Sequence, residues 1–526
     1  MSGESCPPPS SPQDHVQTGL LRRLAAGIGA QGAAQVVLIL GNLLSVPGFL
    51  AAWGGGVFAD WLVLSAAAAL LTLADFGISG YLGNTLRAAW ASGDEVGGRR
   101  ILQIGLGIYG VLCAAVAAAV VAASILADMP ALLGVTRLEG AGPTQLILAL
   151  TIVILLPRGL IAAVHSARGR FHREVLLLML TQAGQVTAGV AVALAGGGPQ
   201  TAATAQLAAA LLLGWGALLW DLYRHGDLHA LRPQTPDGRE LRRLAIKAPL
   251  YAMQTGAVMA LVHLPILLLG RLAPASAVVT FATIRTFVGL VRQTARQVAT
   301  PLGLEMARMH AGGNRAAAGR LYADSVAPTG CIVALLAGGA WSAGPAILTL
   351  WTHGTAVFDP LTAGALLAGA LIQVPAYGAG ALLRLVDRPG TIAAIHAVEI
   401  LAILLLGLLL IPTAGAAGAA LTVILAETIP AIPWYLHSTG RLLGCRILRP
   451  VLRAYAVTGA VFLLVLLTAA AINQLVSLDT VPGLGVFMLL WAATAPPALI
   501  VTLSTGQRNW IRLRLHGYRR RLSAKD

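Results

Sequence analysis

The sequence predicts an all-α polytopic membrane protein with about fourteen transmembrane helices. These would form two six-helix lobes related as parallel repeats, with two further helices at the C-terminal end. Three observations carry this. The 526 residues include only 36 Lys+Arg and 21 Asp+Glu, while hydrophobic residues reach 57%, against roughly 45–50% in ordinary soluble domains. The mean hydropathy is +0.78. Fourteen stretches are long and apolar enough to span, and the basic residues fall almost entirely on one side of them. A soluble enzyme, a disordered chain and a secreted disulfide scaffold are all excluded by this balance.

A spanning helix needs about 20 apolar residues, and backbone groups in lipid must bond internally, so such runs must be helical. The spans read as 25–50, 57–86, 101–127, 144–166, 174–195, 201–222, 245–270, 275–304, 326–350, 361–385, 391–411, 415–438, 451–472 and 484–505. Their Ala and Gly content lets helix backbones approach closely. The resulting organisation is an N-terminal tail (1–24), an N-lobe (25–222), an interlobe linker (223–246), a C-lobe (247–438), two further helices (451–505) and a basic tail (506–526). Residues 1–19 lack the charged and apolar regions of a cleavable signal. The four cysteines show no metal or disulfide spacing.

The net charge of +15 is explained by orientation. With a cytoplasmic N-terminus, 30 of the 36 basic residues lie in cytoplasmic loops and tails or at the cytoplasmic ends of spans, and only Arg137 and Arg271 lie opposite. Cytoplasmic loops of membrane proteins carry this excess. Arg158, Arg285, Arg292 and Arg296 are left within the spans. The tail from Gln507 to Lys525 alternates Arg with Trp510, Leu513, Leu515 and Tyr518, a pattern suited to lying on anionic lipid. Nucleic acid is not an expected partner. The outer loops are short, the longest running from about Asp128 to Pro143.

An internal repeat supports the two-lobe reading. Ala91–Leu102 and Ala311–Tyr322 align at a constant offset of 220, with Ala91/Ala311, Gly93/Gly313 and Arg100/Arg320 identical. Each follows the second span of a six-span set, so the halves are parallel repeats about an axis along the membrane normal, a transporter signature.

Certain residues also resemble a known family. Leu43-Leu44-Ser45-Val46-Pro47, Asp60-Trp61-Leu62-Val63-Leu64, Leu73-Ala74-Asp75-Phe76-Gly77, Asn84 and Gly93-Asp94 resemble the bacterial polysaccharide (O-antigen type) flippases. Thr280-Phe281-Ala282-Thr283-Ile284-Arg285-Thr286-Phe287, Arg292-Gln293 and Pro301 resemble the eighth span of the same family. The pattern departs at Trp53-Gly54-Gly55-Gly56, where a charged turn is expected. These flippases belong to the multidrug/oligosaccharidyl-lipid/polysaccharide (MOP) exporter superfamily. The resemblance implies a MATE-like fold and a place in the bacterial inner membrane; the charge bias puts both termini on the cytoplasmic side, and the short outer loops speak against an enzyme. The resemblance also implies translocation of a polyprenyl-pyrophosphate-linked oligosaccharide to the periplasmic leaflet, alongside other polysaccharide-assembly proteins.

The candidate site residues are the charges within the spans. Arg285, Arg292 and Arg296 fall within roughly 40° of one another at about 100° per residue, forming one stripe. Arginine at membrane depth costs about 2.5–3.5 kcal/mol on the lenient scale, so the stripe must face water or acidic partners. Its planar fork matches phosphate oxygens. The stripe is the candidate pyrophosphate site; the structural alternative is pairing with Asp75, Glu399 or Glu427, or cytoplasmic snorkelling for Arg296. Arg158 follows Pro157, which should kink its span. It would either line the cavity or snorkel.

Glu399 and Glu427 sit at similar depth, with His396 one turn before Glu399. They could couple transport to H+ or Na+, or balance the arginines. No other cofactor is expected. Asp75 is a further coupling candidate near the cytoplasmic cavity, or the cap of a helix break at Gly77 and Gly80. Gln31, Gln35 and Asn42 could bind sugar hydroxyls or glue helices together. Two other functions stay open. An ion-coupled multidrug or organic-cation exporter would want an acidic cavity. A membrane glycosyltransferase would need outer-loop carboxylates, and only Asp60, Asp128, Asp359 and Asp479 are placed for that.

Overall fold

The computed structural model describes residues 12–228, 231–386, 389–475 and 480–502. The described residues form helices and connecting turns, with no strand. In order these are α1 (Pro12–Leu70), α2 (Ile78–Ala91), α3 (Glu95–Leu126), α4 (Met129–Leu132), α5 (Ala141–Leu155), α6 (Arg158–Ala167), α7 (Phe171–Leu194), α8 (Pro199–Ala209) and α9 (Ala217–Arg224). Then come α10 (Gly238–Leu272), α11 (Ala275–Ala311), α12 (Arg315–Trp351), α13 (Pro360–Ile372), α14 (Val374–Leu385), α15 (Pro389–Thr428), α16 (Ala431–Leu443), α17 (Leu448–Leu475) and α18 (Val481–Thr502).

Among the described residues, eleven stretches are long and apolar enough to cross a membrane, or twelve when the pair α13–α14, bent by 57°, is one span. That is fewer than the fourteen expected. Two of the long stretches are each a pair of helices joined at a break. In α1 the break is Gly54 (φ 72°, ψ 170°), and in α15 it is Gly415 (φ 52°, ψ −123°). Both torsions lie in the left-handed half of the map, which glycine reaches without a Cβ clash.

The chain divides into two compact units. The first holds the described parts of Met1–Ala52, Leu71–Pro130 and Glu139–Ala252. Its core gathers Leu86, Leu102, Leu160, Leu218 and Leu222 from α2, α3, α6 and α9, all fully buried. The second holds Trp53–Leu70, Ala131–Leu138 and the described residues of Met253–Asp526. The helix after Gly54 is tied to 131–138 by Asp60, which is 3% exposed. One Asp60 oxygen accepts the backbone N–H groups of Thr136 (3.1 Å), Arg137 (2.6 Å) and Leu138 (3.0 Å).

The two C-terminal helices belong to the second unit. Cys331, Ala334 and Leu335 of α12 pack on Val461 and Val465 of α17. Trp491 of α18 donates its indole N–H to the Leu335 carbonyl at 2.9 Å. Gly330 and Gly338 of α12 face Thr458 and Val465 so closely that a Cβ would collide. With no hydrophobic drive between helices in lipid, such small-residue contact is what holds helix to helix.

The repeat at offset 220 is the same turn built twice. Gly93 and Gly313 have φ 82° and 78°. The N–H groups of Asp94 and Asn314 donate to the carbonyls of Ala89 and Met309, each at 2.9 Å. The Asp94 and Asn314 side chains then cap α3 and α12 by accepting the N–H groups of Gly97 (2.8 Å) and Ala317 (3.1 Å). Asp and Asn are strong N-caps because a short side-chain oxygen reaches the orphan donors of the first turn.

Candidate functional site

The arginine stripe lies on the continuous helix α11, in the second unit. Arg285 donates to the Val262 carbonyl of α10 at 2.5 Å, and its guanidinium stands 5.7 Å from the Phe281 ring centre. Arg292 donates to Glu427 of α15 in an ion pair and more weakly to Gln373 Oε1 at 3.4 Å. Gln373 donates its amide to the same Glu427 oxygen at 2.9 Å. Glu427 is 8% exposed, so Arg292 and Gln373 together satisfy a carboxylate that would be costly to bury alone. The Arg292 Nε is buried with no hydrogen-bond partner. Arg296 is exposed. Among the described residues, neither Arg285 nor Arg296 makes an ion pair.

The acidic side of the cluster comes from the two halves of α15. His396 Nδ1 lies 2.6 Å from Glu399 Oε2, and both residues are buried. Glu399 has Glu427 and Arg292 as electrostatic neighbours. Thus one polar cluster holds the two carboxylates, the histidine and the arginine stripe.

Three residues that the sequence reading overlooked complete it. Gln373 sits at the α13–α14 bend, the Tyr377 hydroxyl faces Arg292 and Arg296, and Arg384 ends α14 beside Arg296 and Tyr435. Positions 373, 377 and 384 fall within roughly 40° on a helix, so their common face was readable. Arg384 is one of the thirty basic residues that the charge bias places on the cytoplasmic side. Counting Arg285, Arg292, Arg296 and Arg384 against Glu399 and Glu427 leaves two positive charges uncompensated while His396 is neutral.

The other candidates are placed differently. Arg158 is in the first unit and 5% exposed. Its Nε donates to the Gly214 carbonyl (3.2 Å) and its Nη2 to the Leu177 carbonyl (2.8 Å). Gly214 lies in a π-helical turn, Ala210–Gly216, where a shifted bonding pattern frees carbonyls for a side-chain donor. Arg158 therefore neither lines an open cavity nor snorkels in this structure. Pro157 does break the span, between α5 and α6.

Asp75 accepts the Tyr109 hydroxyl, the Ser79 hydroxyl (2.9 Å) and the Ser79 N–H (3.3 Å). It caps α2 after the break at Phe76 (φ 46°) and Gly77 (φ 76°), which is the capping alternative. Asp75 belongs to the first unit, and Glu399 and Glu427 to the second. Gln31, Gln35 and Asn42 have side chains outside the described residues, as does the basic tail after Thr502.

Two outer-loop carboxylates are taken up by structure. Asp60 holds 136–138, and Asp359 caps α13 through the N–H groups of Leu361 and Thr362. Asp479 lies outside the described residues.

No family profile and no curated relative matches the sequence. Solved structures do. One, described as the lipid II flippase MurJ in an inward closed conformation, matches with a TM-score of 0.69 at 11% identity, over 91% of this chain and 99% of that one. An inward-facing multidrug resistance transporter of the MATE family, in the MOP superfamily, matches with a TM-score of 0.61 at 11% identity, over 77% and 95%. An outward-facing MATE structure matches at 0.53 and 13%, over 80% and 94%. The chain has the fold of the MOP-superfamily transporters. In this MOP fold the polar cluster is built from α10, α11, α13–α14 and both halves of α15, so it lies wholly inside the second unit.

Proposed function

We propose that the chain is a flippase that carries a polyprenyl-pyrophosphate-linked oligosaccharide from the cytoplasmic to the periplasmic leaflet by alternating access, in polysaccharide biosynthesis of the O-antigen, lipopolysaccharide type. The observation that carries this is the arginine face of α11. Arg285 and Arg296 have no carboxylate partner among the described residues, and the cluster they belong to is net positive. A guanidinium fork matches the paired oxygens of a pyrophosphate. In an organic-cation exporter the same positions would repel the cargo. The likeness to a lipid II flippase over most of the chain supports a lipid-linked substrate.

On this reading Arg285 and Arg296 hold the pyrophosphate, and Arg292 is kept in place by Glu427 and Gln373. The buried His396–Glu399 pair takes up the coupling ion, H+ or Na+. The protein works in the bacterial inner membrane with both termini cytoplasmic, beside other polysaccharide-assembly proteins, its basic tail on anionic lipid.

The buried His396–Glu399 pair also favours the second reading, an ion-coupled multidrug exporter. Binding separates the two. Native mass spectrometry of the full chain with a polyprenyl-pyrophosphate oligosaccharide should give a complex that Arg285→Gln and Arg296→Gln weaken. Binding of a lipophilic organic cation that both substitutions strengthen would favour the exporter and contradict the flippase.

A further inference from the structure

The second unit holds a cavity of about 560 Å³ outside the polar cluster. It lies where α12 starts, α16 ends and α17 starts, and Arg315, Arg320, Arg446, Tyr322, Cys445 and Ile447 are among its walls. The orientation read from the charge bias puts this end of the helices on the cytoplasmic side. The three arginines are exposed. Among the described residues none of them has an ion-pair partner.

The first unit supplies an internal control, because it contains the same two turns. At the 93/313 turn, position 95 is Glu and position 315 is Arg. Glu95 pairs with Arg99 (3.4 Å) and Arg168 (3.8 Å). Arg100, the counterpart of Arg320, pairs with Asp237 (3.7 Å) and Glu240 (3.1 Å).

The second turn shows the same exchange. Gly226 and Gly444 have φ 71° and 64°, and the next N–H, of Asp227 or Cys445, donates to the carbonyl five residues back, Leu222 or Gly440. Asp227 is 4% exposed and pairs with both Arg168 (2.8 Å) and Arg170. Cys445, whose thiol is pushed up by burial and so carries no charge at neutral pH, stands in its place. The first unit thus closes its basic turns with its own carboxylates, while the second has replaced those carboxylates with Arg315 and Cys445.

We propose that this cavity binds the phosphate-bearing headgroup of an anionic phospholipid. Three unpaired guanidiniums supply the anion recognition. Basic pockets between helix ends on the cytoplasmic side are the known setting for such headgroups. The volume falls within the range of ligand pockets, about 300–1,000 Å³. The walls also include Leu443 and Pro450, and Leu448 and Leu452 of α17 beside them are 69% and 58% exposed. This gives the acyl chains an apolar path from the headgroup.

The test uses the full chain in nanodiscs of equal phosphatidylglycerol and phosphatidylcholine, with bound lipid counted by native mass spectrometry. The wild type should retain phosphatidylglycerol selectively. Arg315→Glu and Cys445→Asp, which write in the acids of the first unit, should each reduce that retention by about fivefold or more. Arg308→Glu makes the same charge change at an exposed site outside the cavity and should leave it unchanged. Equal retention in Arg315→Glu, Cys445→Asp and the wild type would overturn the proposal. So would equal losses in Arg308→Glu and Arg315→Glu. Release of the lipid by millimolar inorganic phosphate would show a site for soluble anions and overturn the lipid assignment.

Discussion

Arg158 in the first unit and Arg285 with Arg296 in the second are all arginines within apolar spans, yet they are handled in opposite ways. Arg158 is buried and its guanidinium is taken up by two backbone carbonyls, one freed by a π-helical turn. Arg285 uses one carbonyl, Arg296 is exposed, and among the described residues neither forms an ion pair with a carboxylate. A charge in a membrane span is therefore not by itself a binding site. The distinguishing property is hydrogen-bonding capacity left over after the protein's own groups are served.

The largest expected effect tests what holds the second region together. Glu427→Ala strips Arg292 of its partner in a buried setting and should cost about 3–5 kcal/mol, read as a marked fall in the thermal unfolding midpoint in detergent. An unchanged midpoint would mean that the arginine face does not depend on this pair.

Next is Arg158→Leu, which leaves the Gly214 carbonyl without its side-chain donor, while the Leu177 carbonyl keeps the Thr181 hydroxyl at 2.8 Å. At about 1–3 kcal/mol for an unsatisfied group, stability should fall, while the folded fraction binds lipid-linked pyrophosphate with wild-type affinity. Loss of affinity without loss of stability would erase the distinction between the two regions.

Arg285→Gln and Arg296→Gln should do the reverse. Each should weaken pyrophosphate-lipid binding by about tenfold, the worth of one charge-assisted hydrogen bond, with little change in the unfolding midpoint. Glu399→Gln holds that position in the uncharged form. If the His396–Glu399 pair carries coupling, an imposed pH gradient should change the wild-type transport rate by up to about tenfold per pH unit and leave the variant's rate unchanged.

The smallest effect concerns Cys445. Its raised thiol pKa means less thiolate at neutral pH, so maleimide labelling should be slower than for an exposed cysteine and catch up only as pH rises well above the ordinary thiol range.

Much of this was legible in the chain. Hydropathy alone gives the helices, because lipid allows the backbone no other choice. The 220-residue offset was visible in three identities, and the structure shows why those few sufficed: Gly93 and Gly313 carry the left-handed torsion of the same capped turn. The angular arithmetic of Arg285, Arg292 and Arg296 was also sound, because α11 runs unbroken through all three.

Which partner distant in sequence each arginine meets could not be read, although Glu427 was among the three carboxylates named for the stripe. Arg292 meets Glu427 across 135 positions, and Arg158 meets Gly214 across 56. The second meeting depends on a π-turn that no local pattern announces. Gln373 and Tyr377 were missed because an uncharged polar residue in an apolar span looks the same whether it glues helices or faces a ligand.

The central claim is that the leftover arginine capacity of α11 binds a pyrophosphate-linked glycan and moves it. The most direct measurement is leaflet-to-leaflet transfer of a labelled polyprenyl-pyrophosphate oligosaccharide in proteoliposomes, comparing wild type, Arg285→Gln/Arg296→Gln and Arg158→Leu at equal amounts of folded protein. The account predicts transfer by the wild type and by Arg158→Leu, and its loss in the double variant. Wild-type transfer rates in the double variant, or no transfer by the wild type, would contradict it.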